Sequence, residues 1–311
     1  MDNTSETTEL SRSKPLLRAV IKSMRLHQWV KNLLLLIPLV LTASHADLAH
    51  VLSFVAGFLF FGLLSSGTYI LNDIVDMEAD RRHPQKKGRP IAAGDLSAPI
   101  GAGVGLILIT VAMVGAVLLS GFFAMALLAY LALTLAYSLW LKQIPLIDVL
   151  TIAALFTLRI VAGMTLVGEP PSQWLLMFSI FFFFSLALLK RDAEFSVMHR
   201  TGSKILHGRG YTSDDRILVT AFGIASGVAS LVVFALFVSS MIEKPSSPYT
   251  APVLLWGAMP ALSYWIMRMW LLTGRGLMMD DPILYAVGDR ASLILAGLMA
   301  AFVIAAQFVQ L

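Results

Sequence analysis

Nine stretches of this chain are apolar over about 20 residues each, and that pattern leaves few folds open. A run of that length crosses a hydrocarbon core about 30 Å thick as an α-helix. Backbone in lipid must satisfy its own hydrogen bonds, which favours whole helices. The runs are 30–46, 51–75, 98–119, 122–140, 145–167, 172–189, 217–241, 250–272 and 290–310. They are continuous and do not alternate, so they do not read as strands of a membrane barrel. The first is short and polar at both ends. Charged residues make up 14% of the chain, against roughly 25% in a soluble domain. The deficit is spread along the whole length. The expected fold is therefore an all-α, polytopic membrane bundle of nine helices, one domain over 14–311, preceded by a disordered tail over 1–13. That tail is polar and acidic, and no short apolar run follows a basic start, so it does not read as a secretory signal.

Lys and Arg concentrate in cytoplasmic loops. With the N-terminus inside, the basic residues of the N-terminal segment, of the loops after spans two, four and six, and of the loop before span nine all fall on one side. Only Lys244 falls on the other, and Arg159 lies within span five. The expectation is a multi-pass protein of a bacterial inner membrane, its charged chemistry on the cytoplasmic side and its C-terminus opposite. The net charge of +4 suits an anionic membrane face and gives no reason to expect nucleic acid. With no cysteine, thiolate metal sites and cysteine nucleophiles are excluded.

The loop after span two carries the densest chemistry. Asn72, Asp73, Asp76 and Asp80 come at the end of an apolar run, and 73, 76 and 80 stack on one helical face. Like charges on one face repel unless a cation lies among them. Oxygen ligands without His or Cys favour Mg²⁺, with Mn²⁺ the alternative. Arg81, Arg82, Lys86, Lys87 and Arg89 follow, and would offset the charge of phosphates. The pattern suggests a metal-diphosphate site; the plainer alternative is a solvated, salt-bridged loop.

Other candidates are spread over later loops. Lys190, Arg191 and Glu194, after span six, suit a clamp for a second phosphate or a basic membrane anchor. Asp280, Asp281, Tyr285, Asp289 and Arg290 could close over a site, or Asp289 could simply cap a helix. Tyr137 and Lys142 end span four, and Lys142 reads equally as phosphate contact or snorkelling anchor. Arg159 within hydrocarbon must face a polar interior. Lys31, beside Trp29, suits an interfacial anchor or a substrate entrance. The aromatic run Phe181 to Phe184 is expected to face lipid or a lipid substrate.

The segment Asn72-Asp73-x-x-Asp76-x-x-x-Asp80, at the end of the second of nine spans, resembles the UbiA-type prenyltransferase superfamily over nearly the whole chain. Members hold a diphosphate through Mg²⁺ on two Asp-rich loops, one after helix two and one after helix six. This sequence departs from most of them at the second loop, where Lys190-Arg191-Asp192-Ala-Glu194 stands in place of an Asp pair. It looks more like the decaprenyl-phosphate phosphoribosyltransferase branch. The matching stretches are Arg25-x-His27-Gln28-Trp29-Val-Lys31-Asn32, Asp80-Arg81-x-His83-Pro84, Arg89 to Gly94, the Lys-Arg-x-x-Glu after helix six, and Asp289-Arg290.

That resemblance implies that phosphoribosyl pyrophosphate gives its ribose 5-phosphate to a polyprenyl phosphate, an early step towards a lipid-linked arabinose donor. Asp73, Asp76 and Asp80 would be catalytic, and with Asn72 they would hold Mg²⁺. Lys31, Arg81, Lys86 and Arg89 would meet substrate, as would Tyr137, Lys142 and Arg159. Lys190, Arg191, Glu194, Asp289 and Arg290 complete that set. A homo-oligomer is possible in the branch. Two rivals remain at this stage: an aromatic prenyltransferase using a polyprenyl diphosphate, and a transporter without chemistry.

Overall fold

The computed structural model describes residues 16–43, 47–82, 86–168, 172–200, 209–244, 247–278 and 281–310, the last two positions of the fourth segment by backbone alone. His83, Pro84, Asp280 and the side chains of His199 and Arg200 therefore lie outside the described residues, as does the 1–13 tail. Among the described residues every regular element is helical. Seven helices are long and apolar enough to cross a membrane: Leu48–Val75, Ala98–Leu119, Gly121–Leu139, Ile147–Val167, Gln173–Met198, Ser213–Glu243 and Arg290–Phe308.

The other two apolar runs are helical but broken. The first is a 3₁₀ helix, Leu26–Leu36, followed by a five-residue α-helix, Ile37–Leu41. The other starts as a 3₁₀ turn, Pro252–Gly257, and only then becomes an α-helix of 17 residues, Ala258–Gly274. The all-helical membrane fold is thus as expected, while the count of nine spans is not confirmed among the described residues.

We number the α-helices in order: α1 (16–24), α2 (Ile37–Leu41), α3 (Leu48–Val75), α4 (Met77–Arg82), α5 (Pro90–Ala93), α6 (Ala98–Leu119), α7 (Gly121–Leu139), α8 (Ile147–Val167), α9 (Gln173–Arg200), α10 (Arg216–Glu243), α11 (Ala258–Gly274), α12 (Pro282–Gly288) and α13 (Arg290–Phe308). The chain divides into two compact units, one of residues 1–33 and 55–139, the other of 34–54 and 140–311.

In the first unit, small residues let long helices approach. A Cβ on Gly67 of α3 would stand 2.7 Å from the Gly105 carbonyl of α6, the close backbone contact typical of membrane helices. Ala19, Ile70, Ile91 and Leu96 form a buried cluster below the polar end of α3. The helix ends at the acidic stripe without losing register: Asp76 N–H donates to the Asn72 carbonyl (2.9 Å), and Asp80 N–H to the Asp76 carbonyl (2.8 Å). The i→i+4 ladder thus carries across from α3 to α4. Pro90 at the start of α5 and Gly94 in the left-handed region at its end bound that short helix.

The second unit is built on α8, α9, α10 and α11. Its core joins Phe156, Ile160 and Met164 with Phe183, Leu186 and Leu189, and with Leu262, Trp265 and Met269. Phe183 stacks on Phe156 at 5.1 Å, and Phe182 on Trp265 at 5.6 Å. This corrects the expectation for the aromatic run. Phe183 is core and Phe182 packs beside it, and only Phe181 of the four is exposed. Helix α9 also continues well past the apolar run, to Arg200, so Lys190, Arg191 and Glu194 lie on helix and not in a loop.

Candidate functional site

In the first unit, the stripe at the α3–α4 junction is an acid and arginine cluster. Asp73 and Asp80 are both buried, and Asp76 is half-buried. Arg25 Nη2 donates to Asp73 Oδ1 at 2.5 Å. Arg89 Nη1 reaches Asp73 Oδ1 at 3.1 Å and Asp80 Oδ2 at 2.5 Å. Asn72 Nδ2 donates to Asp76 Oδ2 at 3.2 Å. Arg25 also lies over the Tyr69 ring, 5.4 Å from its centroid, and has a left-handed backbone at φ 51°. That conformation is uncommon for a side chain of this size and recurs at functional sites.

The repulsion expected along the stripe is thus answered by two guanidiniums. Among the described residues no three His, Cys, Asp or Glu side chains form a group that would hold a metal ion. The donor chemistry still suits a hard cation, being carboxylate and amide oxygen only. The gap between Asp73 and Asp80 admits positive charge, because one arginine nitrogen bridges both carboxylates. Asp73, Asp76, Asp80 and Asn72 are thus brought together at one helical junction, and their oxygens are the ones there that could hold Mg²⁺.

The neighbouring basic residues are placed unequally. Arg89 is in the cluster. Arg81 is exposed, pairing with Glu78 at 2.8 Å and donating to the Ala92 carbonyl at 3.3 Å. Lys86 is exposed on a 3₁₀ turn, Lys86–Gly88. Lys31 is half-buried on the 3₁₀ helix that carries Trp29. Trp29 Nε1 donates to Ser66 Oγ at 2.9 Å, and that hydroxyl donates to the Met24 carbonyl at 2.8 Å. Tyr137 is half-buried near the end of α7.

The second unit has its own charged cluster, deeper than the sequence implied. Arg191 and Asp148 are both 0% exposed and stand 2.9 Å apart. Arg191 also donates to Glu194. Tyr211 Oη donates to Asp148 Oδ1 at 2.6 Å and accepts from Leu146 N–H at 2.8 Å. Arg209 Nη1 lies 3.4 Å from Asp148, and its Nε 3.8 Å from Glu194. Burial and the adjacent Asp148 hold the Tyr211 phenol well above its ordinary pKa, so it stays protonated as a donor. Arg191, read as a phosphate clamp, is in this arrangement a fully buried ion. Lys190 is only partly buried and lies 3.4 Å from Asp281. Lys142, half-buried, sits on the 3₁₀ turn before α8. Arg159 is buried within α8, its guanidinium donating to the Leu155 carbonyl (2.8 Å) and lying 5.3 Å from the Phe156 ring centroid.

Asp289 takes the capping alternative. It accepts from Ser292 N–H (2.8 Å) and Ser292 Oγ (2.7 Å) at the start of α13, and forms a two-bond fork with Arg268 of α11 at 2.7 and 3.0 Å. Arg290, beside it, is exposed. The Arg268 fork and the cap pull the Asp289 carboxyl down to about 2. Its folded pKa lies below the unfolded value of ~3.9. The contribution is therefore whole above pH ~4 and lost as pH falls towards 2. Asp289→Ala is expected to destabilise the protein by about 1–2 kcal/mol, as a lost helix cap does, and to leave substrate KM values near wild type. Thermal unfolding and steady-state kinetics on one preparation check this; a raised KM at unchanged stability would return Asp289 to the substrate site.

Sequence reasoning assigned Asp148, Arg209 and Tyr211 to no site, and had Arg25 only in a stretch matching the resembling family. Arg25 and Asp73 are 48 positions apart, and Asp148 and Tyr211 are 63 apart, so no local spacing links them. The one available signal was that Asp148 opens an apolar run, where a lone carboxylate needs a partner.

Two compact units whose described regular elements are all helical, seven of them fit to cross a membrane, define a multi-pass membrane protein with charged clusters at its helix ends. The UbiA prenyltransferase family model matches residues 33–278, and the chain belongs to that family of transferases. It is 43% identical over 286 residues to the uncharacterized protein y4nM of Sinorhizobium fredii, covering 92% of this chain and 55% of that one. The chain thus spans about half the length of that relative. It is 35% identical to the nodulation protein NoeC of Azorhizobium caulinodans, over 88% of each chain. It is 36% identical to decaprenyl-phosphate phosphoribosyltransferase of Mycobacterium tuberculosis, over 64% of this chain and 67% of that one. Its fold is similar to that of a UbiA homologue from Archaeoglobus fulgidus solved with GPP and Mg²⁺. The TM-score is 0.69 at 16% identity, over 94% of this chain and 100% of that one.

Proposed function

We propose that the chain transfers 5-phosphoribose from phosphoribosyl pyrophosphate to a polyprenyl phosphate. The C1–O bond to pyrophosphate breaks, a new C1–O bond forms to a lipid phosphate oxygen, and pyrophosphate leaves. The product would be an early intermediate towards a lipid-linked arabinose donor. Relatives bearing the phosphoribosyltransferase name support the reading. The resemblance adds that the Lys190-Arg191-x-x-Glu194 stretch stands where aromatic prenyltransferases carry an Asp pair. The shared name at 36% identity is the observation that carries the proposal, and a basic segment there suits a reaction that handles two phosphate groups beyond the leaving pyrophosphate.

The acidic stripe is assigned to the pyrophosphate. Bound Mg²⁺ would supply Lewis-acid stabilisation of the departing charge. Asp73, Asp76 and Asp80 would bind it, Asn72 would orient Asp76, and Arg25 and Arg89 would turn from the carboxylates onto the diphosphate. The acceptor phosphate is already anionic at neutral pH, so no strong general base is required. The positive-inside pattern supports a cytoplasmic position for this face.

Incubation of the purified protein with labelled phosphoribosyl pyrophosphate and polyprenyl phosphate should give a labelled lipid, and chelation of divalent ions should abolish it. Label transfer only from a prenyl diphosphate to 4-hydroxybenzoate would replace this reading with aromatic prenyl transfer.

A further inference from the structure

The buried ion pair of the second unit is tied to a loop contact tighter than charge satisfaction alone requires. Leu146, immediately before α8, has φ 66°, a left-handed backbone that a leucine adopts only where its surroundings enforce it. Gly210 presses on the same turn: a Cβ there would stand 2.6 Å from the Gln143 carbonyl oxygen and 2.8 Å from the Pro145 ring. Tyr211 fastens the turn, holding Leu146 N–H and Asp148 with one hydroxyl. Strain of this kind gathers at ligand sites.

These features together fix the residue one step earlier, Arg209. Its guanidinium is paired to Asp148 and Glu194, yet 24% exposed at the rim of the cluster, while Arg191 beneath it is 0% exposed. Among the described residues Arg191 Nε is buried without a hydrogen-bond partner, so they do not fully satisfy the buried charge. Two carboxylates and two guanidiniums balance here. An arriving phosphate can draw Arg209 away from Glu194, which is itself partly exposed.

We infer that Arg209 is the residue of this cluster that binds a substrate phosphate group, with Gly210, Tyr211 and Asp148 as positioning residues and Arg191 as the buried countercharge. The inference rests on the phosphoribosyl reading above and deepens it. The ligand chemistry is a phosphate monoester, and both the ribose 5-phosphate of the donor and the lipid phosphate of the acceptor have it.

The test is full kinetics on the full-length protein in lipid nanodiscs, with each substrate varied in turn. Arg209→Gln should raise the KM of one substrate by on the order of tenfold, the effect of losing a charge-assisted hydrogen bond. The KM of the other and kcat should move far less, and the substrate affected identifies the phosphate. Arg209→Lys should recover part of the loss, since charge stays and the planar fork goes. Tyr211→Phe should raise the same KM by a smaller factor. Both KM values staying near wild type in Arg209→Gln would overturn the inference, as would a uniform fall in kcat that tracks a lowered unfolding temperature. If wild type gives no phosphoribosyl product, the reaction proposal fails by itself. The same variants are then assayed for KM with a prenyl diphosphate, where a rise supports the role of Arg209 and no change overturns it.

Discussion

Asp73→Asn should lower turnover by on the order of 10³-fold while the protein stays folded. The substitution keeps the side chain's size and removes one negative charge from the centre of the stripe. Asp73 is the carboxylate that Arg25 and Arg89 share, and it is the stripe's most enclosed oxygen donor together with Asp80. A metal and pyrophosphate held there would stabilise several kcal/mol of developing charge, which is two to four powers of ten in rate. Folding should survive, because Arg25 and Arg89 are partly exposed and can turn to water, and Asp80 still holds Arg89. Turnover with size-exclusion and thermal-unfolding profiles measures both. Activity within tenfold of wild type would remove Asp73 from the chemistry.

Arg191→Met should be the most destabilising single change in the second unit, at about 3–5 kcal/mol, the usual cost of removing one partner from a buried ion pair. Asp148 would remain 0% exposed, with the Tyr211 hydroxyl and the more distant Arg209 left to compensate it. Asp148→Asn on its own should cost less, since Tyr211 can donate to the amide oxygen. The double variant should recover part of the loss, because the stranded charge is gone; that coupling is what a double-mutant cycle isolates. Denaturant or thermal unfolding in a fixed detergent reads it. If Arg191→Met unfolds like wild type but loses substrate affinity, Arg191 is a phosphate ligand after all.

The membrane class was legible because lipid imposes it through composition and run length, and seven helices follow those runs. What the runs did not show were the breaks. Leu26–Leu36 winds as a 3₁₀ helix although it ends in four consecutive leucines, and Pro252–Gly257 delays the start of α11. Hydropathy also ended span six at Leu189, before the charges begin at Lys190. Helix α9 continues to Arg200 because those charges find partners: Arg191 with Glu194 one turn on, and Asp192 with Arg216 of α10 at 3.0 Å. The acidic stripe was legible because its members lie on one local helix. Its arginine partners were only half legible. Arg89 is close in sequence, whereas Arg25 reaches Asp73 through tertiary packing that no spacing reveals. Charge sign likewise could not separate Arg191, sealed in the core, from Arg209 at the rim.

On the proposed function, the stripe exchanges arginine for a divalent ion when an activated pyrophosphate arrives. Electron paramagnetic resonance of Mn²⁺ titrated into the purified protein, with and without phosphoribosyl pyrophosphate, tests it most directly. The account predicts a tightly bound Mn²⁺ signal that grows with the donor in wild type and is lost in both Asp73→Asn and Asp76→Asn. Equal Mn²⁺ binding in wild type and in those two variants would contradict it.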